Sequence, residues 1–338
     1  MSSEILPRVI ISNGFARFHL AVASTALHSL GFEVILLTGA YPTPRLKKFL
    51  TLTRLSKGRK ISRLLDREEE IPFENVHSDY LSESMRVLGM MIKDIPLLKS
   101  LYRYLDLLSL KVYGMRAKKK IRMLGKTGDI YHYRAGFGGV SVSEAKSIGM
   151  LLLCDHTIAH PYVLDYMVSN EGKWPSNSIS ESIDSRWKYI LKDIEQAKEI
   201  LTISNFVKDT FTHMGWDGRK IHVICLGVDE KFYQAIPKHE PVYSERTRLL
   251  FAGLFEKRKG AVQILEALRK IEDLDFQLDV AGNIGDEYKD ELLNDPRVNY
   301  LGLQSRTELA ETMFDADIFV FPTLAEGPER GLTIPAGR

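Results

Sequence analysis

The sequence predicts an α/β protein with two parallel-sheet domains that face a cleft. Short apolar runs rich in β-branched residues alternate with stretches of helical periodicity along most of the chain. The short runs are apolar on both faces, which is typical of parallel strands buried on both sides. Pro237–Arg246, a segment with two prolines and little apolar content, separates two such alternating series.

Composition and charge narrow the class of protein. The 338 residues are 44% hydrophobic and 27% charged, which is ordinary for a globular chain of about two domains. The formal net charge of +2 argues against a dedicated nucleic-acid binder, so we expect no nucleic-acid partner. Cys154 and Cys225 form no CxxC pair, which fits a reducing cytosol. We recognise no signal peptide and no membrane-spanning run, and therefore expect a cytoplasmic protein.

The first alternating series begins with a βαβ unit. Arg8–Ser12 predicts a strand, Arg17–Leu30 a helix that Gly31 ends, and Glu33–Thr38 the next strand. A helix-rich region from Tyr41 to Lys126 follows. Later elements are expected at Asp129–Tyr133, Val140–Ile148, Met150–Cys154, Asp184–Lys198, Glu199–Ile203, Ser204–Met214 and His222–Cys225.

The second series is shorter. Its strands are expected at Arg248–Ala252, Phe276–Ala281, Val298–Leu301 and Ile318–Pro322, and its helices at Gly260–Ile271 and Arg306–Phe314. The sequence stops at Arg338, soon after the last strand, so we expect an incomplete second domain. We therefore predict an N-terminal domain over 1–236, a linker over 237–247 and a C-terminal domain over 248–338. A ligand is expected at the carboxyl ends of the strands.

The turn Gly253–Gly260, Gly-Leu-Phe-Glu-Lys-Arg-Lys-Gly, is a candidate diphosphate site. It joins a predicted strand to a predicted helix, whose first amides and positive end favour an anion. Lys259 and Arg258 add positive charge, and Gly260 lets the backbone approach a ligand closely. Taken alone, these residues are also consistent with a solvated basic turn.

Four segments in order resemble retaining glycosyltransferases of family 4. They are Glu199–Asp229, Leu249–Ala267, Asp279–Gly282 together with Val298–Gly302, and Ala316–Gly327. The resemblance implies the GT-B architecture of two Rossmann-like domains. It also implies transfer of a sugar from a nucleotide-diphosphate sugar to a glycan or lipid-linked glycan acceptor, with retention of configuration. Neither a cofactor nor a metal is expected.

The resemblance assigns roles on both sides of the cleft. Lys259 of the Gly253–Gly260 turn would neutralise the donor diphosphate, with help from Arg258. Two departures from the family pattern weaken this assignment. Leu254 stands where the family often has arginine. Ile334 stands where it usually has the glutamate that binds the donor ribose.

Five further residues would complete the site. Glu326, followed by Gly327, would contact the donor sugar. Asn13 and Gly14, which follow the first strand, would line the cleft opposite the phosphates. His156 would lie near the reacting sugar as the active-site histidine, although a histidine in such a loop can also be purely structural.

Two alternatives to glycosyl transfer remain open at this stage. One is a GT-B nucleotide-sugar epimerase, and the other is a truncated, inactive glycosyltransferase fragment. A separate hypothesis concerns Arg45–Arg63, where basic residues alternate with leucines. This pattern is typical of an amphipathic element on an anionic membrane, and equally of a solvated helix face.

Overall fold

The computed structural model describes residues 6–45, 47–48, 64–65, 67, 69–176, 184–225, 227, 230–238, 246–271 and 273–325. Within this part of the chain, two parallel β-sheets belong to two compact units. The first unit takes its residues from Met1–Thr157, Ser182–Thr202 and Asp217–Ile224, and the second from Ile158–Glu181, Ile203–Trp216 and Cys225–Arg338.

The first unit is built on a seven-stranded sheet. Its strands are β1 Val9–Gly14, β2 Val34–Thr38, β3 Val76–Ser78, β4 Ile130–Arg134, β5 Leu151–Asp155, β6 Glu199–Thr202 and β7 Ile221–Val223. Their order is β3-β2-β1-β4-β5-β6-β7, and every described pair is parallel. All residues of β1 and β2 are buried, as expected for strands covered on both faces. The order reverses between β1 and β4, which is therefore the switch point of this sheet.

The helices connect the strands as crossovers. They are α1 His19–Ser29, α2 Tyr80–Ile92, α3 Lys99–Leu124, α4 Val140–Ile148, α5 Pro161–Ser169, α6 Ser185–Glu195, α7 Asn205–His213, α8 Glu230–Gln234, α9 Ala261–Lys270, α10 Asp286–Asn294 and α11 Arg306–Asp315. Helices α1 to α4 and α6 belong to the first unit, and the others to the second. No helix in the described ranges is both long and apolar enough to span a membrane.

One buried carboxylate holds the loop between β4 and α4. The backbone amides of Gly136, Gly138 and Gly139 donate to the carboxylate of Asp193 on α6, at 2.9, 3.0 and 2.8 Å. Asp193 is 1% exposed, and burial raises its pKa to about 6 although the three amides lower it. Gly139 is also the N-cap of α4, so a protein carboxylate occupies the positive end of this helix.

The second unit is built on a four-stranded sheet. Its strands are β8 Thr247–Ala252, β9 Phe276–Ala281, β10 Val298–Gly302 and β11 Ile318–Phe319, in the parallel order β10-β9-β8-β11. The core of this unit is formed by Phe251, Phe255, Ile264, Leu265 and Leu278, which bring α9 onto the sheet. Burial of each such side chain contributes roughly 1.5–3 kcal/mol.

The predicted fold class is confirmed, and most predicted elements coincide with observed ones. Ser204 caps α7 as expected, because its hydroxyl accepts a hydrogen bond from the Val207 amide at 3.2 Å. Four of the described elements escaped prediction, namely β3, α5, α8 and α10. Strand β3 has only three residues, none of them buried, and α10 is largely polar, so neither shows a clear apolar period.

The predicted domain boundaries stay a prediction. Residues 239–245 of the predicted linker lie outside the described residues. In the structure, α5 and α7 belong to the second compact unit, although both fall within the predicted N-terminal domain 1–236. The physical reason is a small apolar cluster in which Val163 and Met167 of α5 pack with Ala325.

Replacement of Asp193 by alanine should destabilise the first unit. The variant leaves three buried amide donors without their acceptor, and each such loss costs about 1–3 kcal/mol. We expect the free energy of unfolding, measured by urea titration at pH 7.5, to fall by at least about 3 kcal/mol. Glu195→Ala on the same helix removes an exposed carboxylate and should change it by less than about 0.5 kcal/mol. Equal stability of the two variants would contradict the assigned role.

Candidate functional site

The turn after β8 is fixed by its backbone. A short 3₁₀ helix, Lys257–Lys259, leads to Gly260, from which α9 starts. Gly260 has a φ of +86°, and a Cβ at this position would overlap the carbonyl oxygen of Pro322. The Leu324 amide and the Thr323 hydroxyl donate to the Arg258 carbonyl at 2.9 and 3.1 Å. The turn is therefore joined to the segment that follows β11, and only glycine fits at its closest approach.

Lys259 is the buried cation of this turn. Its side chain is 3% exposed, and its Nζ lies 5.1 Å from the centroid of the Phe321 ring. Burial, and next the positive charge of Arg258, lower the pKa of Lys259 to about 8, against the opposing effect of Glu256. The Arg258 guanidinium forms an ion pair with Glu256 at 2.9 Å, and Lys257 is exposed. Of the three basic residues, Lys259 is thus the one whose charge is least solvated.

The positive end of α9 adds to this charge. Gly260 is its N-cap, and no side chain caps the helix within the described residues. The free first-turn amides of a helix and its dipole favour an anion. The arrangement predicted from the sequence, with a lysine and a helix N-terminus in one turn, is therefore present.

A cavity of about 450 Å³ opens at the carboxyl ends of β8 and β9. It is lined by Ala252, Gly253, Leu254, Ala281, Gly282, Asn283, Leu303, Gln304, Leu309, Met313, Phe319 and Phe321. Phe321 also lies beside the Lys259 ammonium, so the cavity and the cation are neighbours. Mostly apolar walls with a few amide groups are typical of a small-molecule site.

Asn13 and Gly14 are the last two residues of β1 and do not follow it, because the strand extends further than predicted. Their side chain and backbone shape the start of the next loop. Asn13 is fully buried, its amide nitrogen donates to the Ala16 carbonyl at 2.9 Å, and its oxygen accepts from the Ala21 amide at 3.2 Å. Gly14 has a φ of +79°, and a Cβ there would overlap the Phe137 ring. A direct role of either residue toward a ligand stays a prediction.

His156 directly follows β5, as the sequence predicts. It is 5% exposed, and its backbone amide donates to the Leu201 carbonyl at 2.9 Å. Glu326 and Gly327, and also Ile334, lie outside the described residues. Their assigned roles therefore remain predictions.

Two charged residues at the carboxyl edge of the first sheet were missed from the sequence. Asp155, the last residue of β5, bonds to the His19 ring at 2.8 Å. Arg134 is the last residue of β4, and its guanidinium lies 3.5 Å from the centroid of the Phe18 ring. A signal existed, because a charged residue ends each of these two apolar strands, but it carries no family motif.

Comparison with known proteins agrees with this geometry. Residues 233–328 match the family model described as glycosyl transferases group 1. No curated protein sequence matches the chain. The fold is similar to a glycosyltransferase from Rickettsia africae ESF-5, with a TM-score of 0.53 and 15% identity over 94% of this chain and 73% of that one.

Two further solved structures share the fold. Sucrose-phosphate synthase from Thermosynechococcus elongatus has a TM-score of 0.56 and 14% identity, covering 96% of this chain and 77% of its own. HepE from Anabaena, in complex with UDP, has a TM-score of 0.52 and 12% identity, covering 95% and 75%. Such low identities establish the GT-B fold alone. Together with the family match, they support the predicted transferase.

Substitution of Gly260 by alanine should disrupt the turn by steric overlap. Gly215 has the same φ of +86° but no atom within 4 Å of an added Cβ, so it is a matched control for backbone strain. Gly215→Ala should cost about 1–2 kcal/mol of unfolding free energy from its left-handed backbone alone. Gly260→Ala should cost at least about 2 kcal/mol more, measured by urea titration, because the Pro322 carbonyl must move. Similar losses in both variants would show that the close approach does not matter.

Proposed function

We propose that this protein transfers a glycosyl group from a nucleotide-diphosphate sugar to a glycan or lipid-linked glycan. The observation that carries the proposal is the buried Lys259 ammonium beside an uncapped helix N-terminus and a 450 Å³ cavity. A nucleotide in the cavity would direct its diphosphate toward this positive turn. The match of residues 233–328 to glycosyl transferases group 1 supports the same assignment.

The turn would act on the charge that develops during the reaction. As the glycosidic bond breaks, negative charge grows on the leaving diphosphate. Lys259 and the first amides of α9 are positioned before the reaction and lie in a poorly solvated place, so they stabilise this charge without reorganisation. We propose that this happens without a metal ion, because the turn itself supplies the positive charge.

Retention of configuration and membership of family 4 belong to the same proposal. In it, His156 and Glu326 orient the donor sugar, and the acceptor attacks from the face that the diphosphate leaves. A lipid-linked acceptor would agree with peripheral contact of 45–63 with an anionic membrane on the cytoplasmic side. Most of that segment lies outside the described residues.

The nucleoside base of the donor can be identified by testing which nucleotide the protein binds. UDP is the ligand of the Anabaena HepE structure, which has the same fold, and it is therefore the first probe. We expect UDP, GDP or ADP to raise the melting temperature selectively, because a ligand stabilises the state that it binds. The sugar nucleotide of that base is then incubated with candidate glycan acceptors. A new glycoside supports transfer, whereas an isomerised free sugar nucleotide would identify an epimerase.

Loss of the Lys259 charge should lower transfer strongly. We expect Lys259→Ala to reduce kcat by roughly 10²–10³-fold, the usual effect of losing one preorganised charge-stabilising donor. Lys257→Ala removes the same charge from an exposed position of the same turn and should reduce kcat less than about threefold. Comparable effects of the two substitutions would remove Lys259 from the mechanism.

The lowered pKa of Lys259 predicts that donor binding depends on pH. Its pKa of about 8 in the free protein means that the ammonium loses its proton as the pH rises through this value. Only the protonated form attracts the diphosphate, so UDP affinity should fall above pH 8 when measured by calorimetry. Lys259→Arg should bind UDP with little change between pH 7 and 9.5, since arginine stays charged. An unchanged profile in the wild-type protein would contradict the assignment.

A further inference from the structure

The switch point of the first sheet carries a cluster of three arginines. Arg134 ends β4, Arg86 lies on α2, and Arg186 lies in the first turn of α6. The residues that follow β1 approach the same place, because Phe18 contacts the Arg134 guanidinium. In open parallel sheets, ligands bind at the carboxyl ends of strands next to such a switch point.

The Arg134 side chain has an incomplete set of partners. Its guanidinium lies against two aromatic rings, 3.5 Å from the centroid of Phe18 and 5.2 Å from that of Phe137. Within the described ranges it forms neither a hydrogen bond nor an ion pair. Burial is the main cause that lowers its pKa to about 10, and the charges of Arg86 and Arg186 lower it further, while Asp155 opposes them. A bound anion would relieve all three unfavourable effects.

The other two arginines share one carboxylate. The Asp106 carboxylate on α3 has its Oδ1 atom 3.0 Å from Nη1 of Arg86 and its Oδ2 atom 2.9 Å from Nε of Arg186. Each guanidinium has five N–H donors, so a single shared carboxylate leaves donors available on both. The Arg186 side chain is 42% exposed, which gives a ligand access from solvent.

Among the described residues, the carboxylates that contact the three guanidiniums or lie beside them do not balance their charge. Asp106 is shared between two guanidiniums, and Asp155 already bonds to His19 at 2.8 Å. Burial lowers the pKa of His132, the other histidine near Asp155, to about 4, so this ring is neutral at pH 7. The cluster therefore has a positive excess, set among aromatic rings where charge interactions are stronger than in water.

We propose that Arg134, Arg86 and Arg186 bind a phosphate group of the acceptor. This inference rests on the proposed function, in which the donor diphosphate belongs to the Lys259 turn of the second unit. A second anion site in the first unit then implies a second anionic substrate. Guanidinium forks match phosphate oxygens in pairs, and several forks around one point select phosphate over a neutral hydroxyl. The acceptor is thus a phosphorylated sugar or the phosphate-linked sugar of a lipid carrier.

The first experiment measures inorganic phosphate binding to the full chain by calorimetry. Saturating UDP is present at constant ionic strength, so that the Lys259 turn is occupied. We expect Arg134→Gln and Arg186→Gln each to weaken phosphate binding at least tenfold, and Arg134→Lys to weaken it less. Arg122→Gln is the matched control, because Arg122 is exposed and pairs with Glu144 away from the cluster. Its phosphate affinity should equal that of the wild-type protein.

Arg186→Gln protects the test against misfolding, because this side chain is 42% exposed and its replacement leaves the buried Arg134 in place. Equal phosphate affinity in the wild-type, Arg134→Gln and Arg186→Gln proteins would overturn the inference. Absence of UDP binding, with phosphate binding that still depends on Arg134, would instead overturn the proposed donor site and leave the anion site standing. In that case the phosphate titration is repeated in the Lys259→Ala protein.

The second experiment distinguishes the sources of the phosphate. Acceptor activity is compared for a hexose phosphate, the same neutral hexose, the corresponding uronic acid, and a sugar linked through phosphate to a polyprenyl lipid in detergent. Preference for either phosphorylated compound, lost in Arg186→Gln, supports the proposal and identifies the source. Equal use of the neutral hexose, or preference for the uronic acid, contradicts it.

Discussion

The first unit depends on the bonds between the Asp193 carboxylate and three glycine amides. These bonds set the path of the chain from β4 into α4 and occupy the end of α4 where a helix attracts anions. A ligand cannot use those amides while the carboxylate is bound to them. An anion beside the end of β4 therefore needs donors other than these three amides. In the proposed anion site, the arginines around Arg134 supply such donors.

The same loop positions the aromatic floor of that edge. Phe137 lies between Gly136 and Gly138, two of the residues that Asp193 fixes, and its ring fills the space above Gly14. Phe15 meets it edge-to-face, with 5.0 Å between ring centroids. Gly14 is thus required because Phe137 is there, and Arg134 has rings to lie on for the same reason. A carboxylate on α6 indirectly positions a cation on β4.

The helix N-terminus next to the sheet is arranged differently in the second unit. Helix α9 has Gly260 as its N-cap and no side-chain cap in the described part of the chain. The Ala261 amide donates to the Glu256 carbonyl at 3.2 Å, and the later amides of the first turn remain available to a ligand. Lys259 precedes them directly and is buried by the contact of the turn with Pro322–Leu324. The first unit therefore occupies the N-terminus of α4 with a carboxylate, whereas the N-terminus of α9 has no such acidic side chain in the described residues. This difference favours the second unit as the diphosphate site.

A structural feature could be predicted from the sequence only where the residues that form it lie close together along the chain. The parallel sheets follow from apolar runs such as β1 and β2, and the Gly253–Gly260 turn combines glycine and basic residues within one short segment. The arginine cluster could not be found in this way, because Arg86, Arg134 and Arg186 come from three separate elements. Only the order of the strands brings them to the switch point. Asp193 was missed for the same reason, since its partners lie in a distant loop.

Burial gives the two cationic sites different responses to pH. Lys259, with a pKa lowered to about 8, loses its charge in mildly alkaline solution, whereas Arg134 stays charged there. An arginine suits a position beside two other guanidiniums, because its intrinsic pKa is higher than that of a lysine and it keeps its charge more firmly against repulsion. A lysine is sufficient in the second unit. There the N-terminus of α9 also attracts the anion, and Glu256 offsets part of the charge of Arg258. The choice of cation at each site thus follows from the number of positive neighbours that it must tolerate.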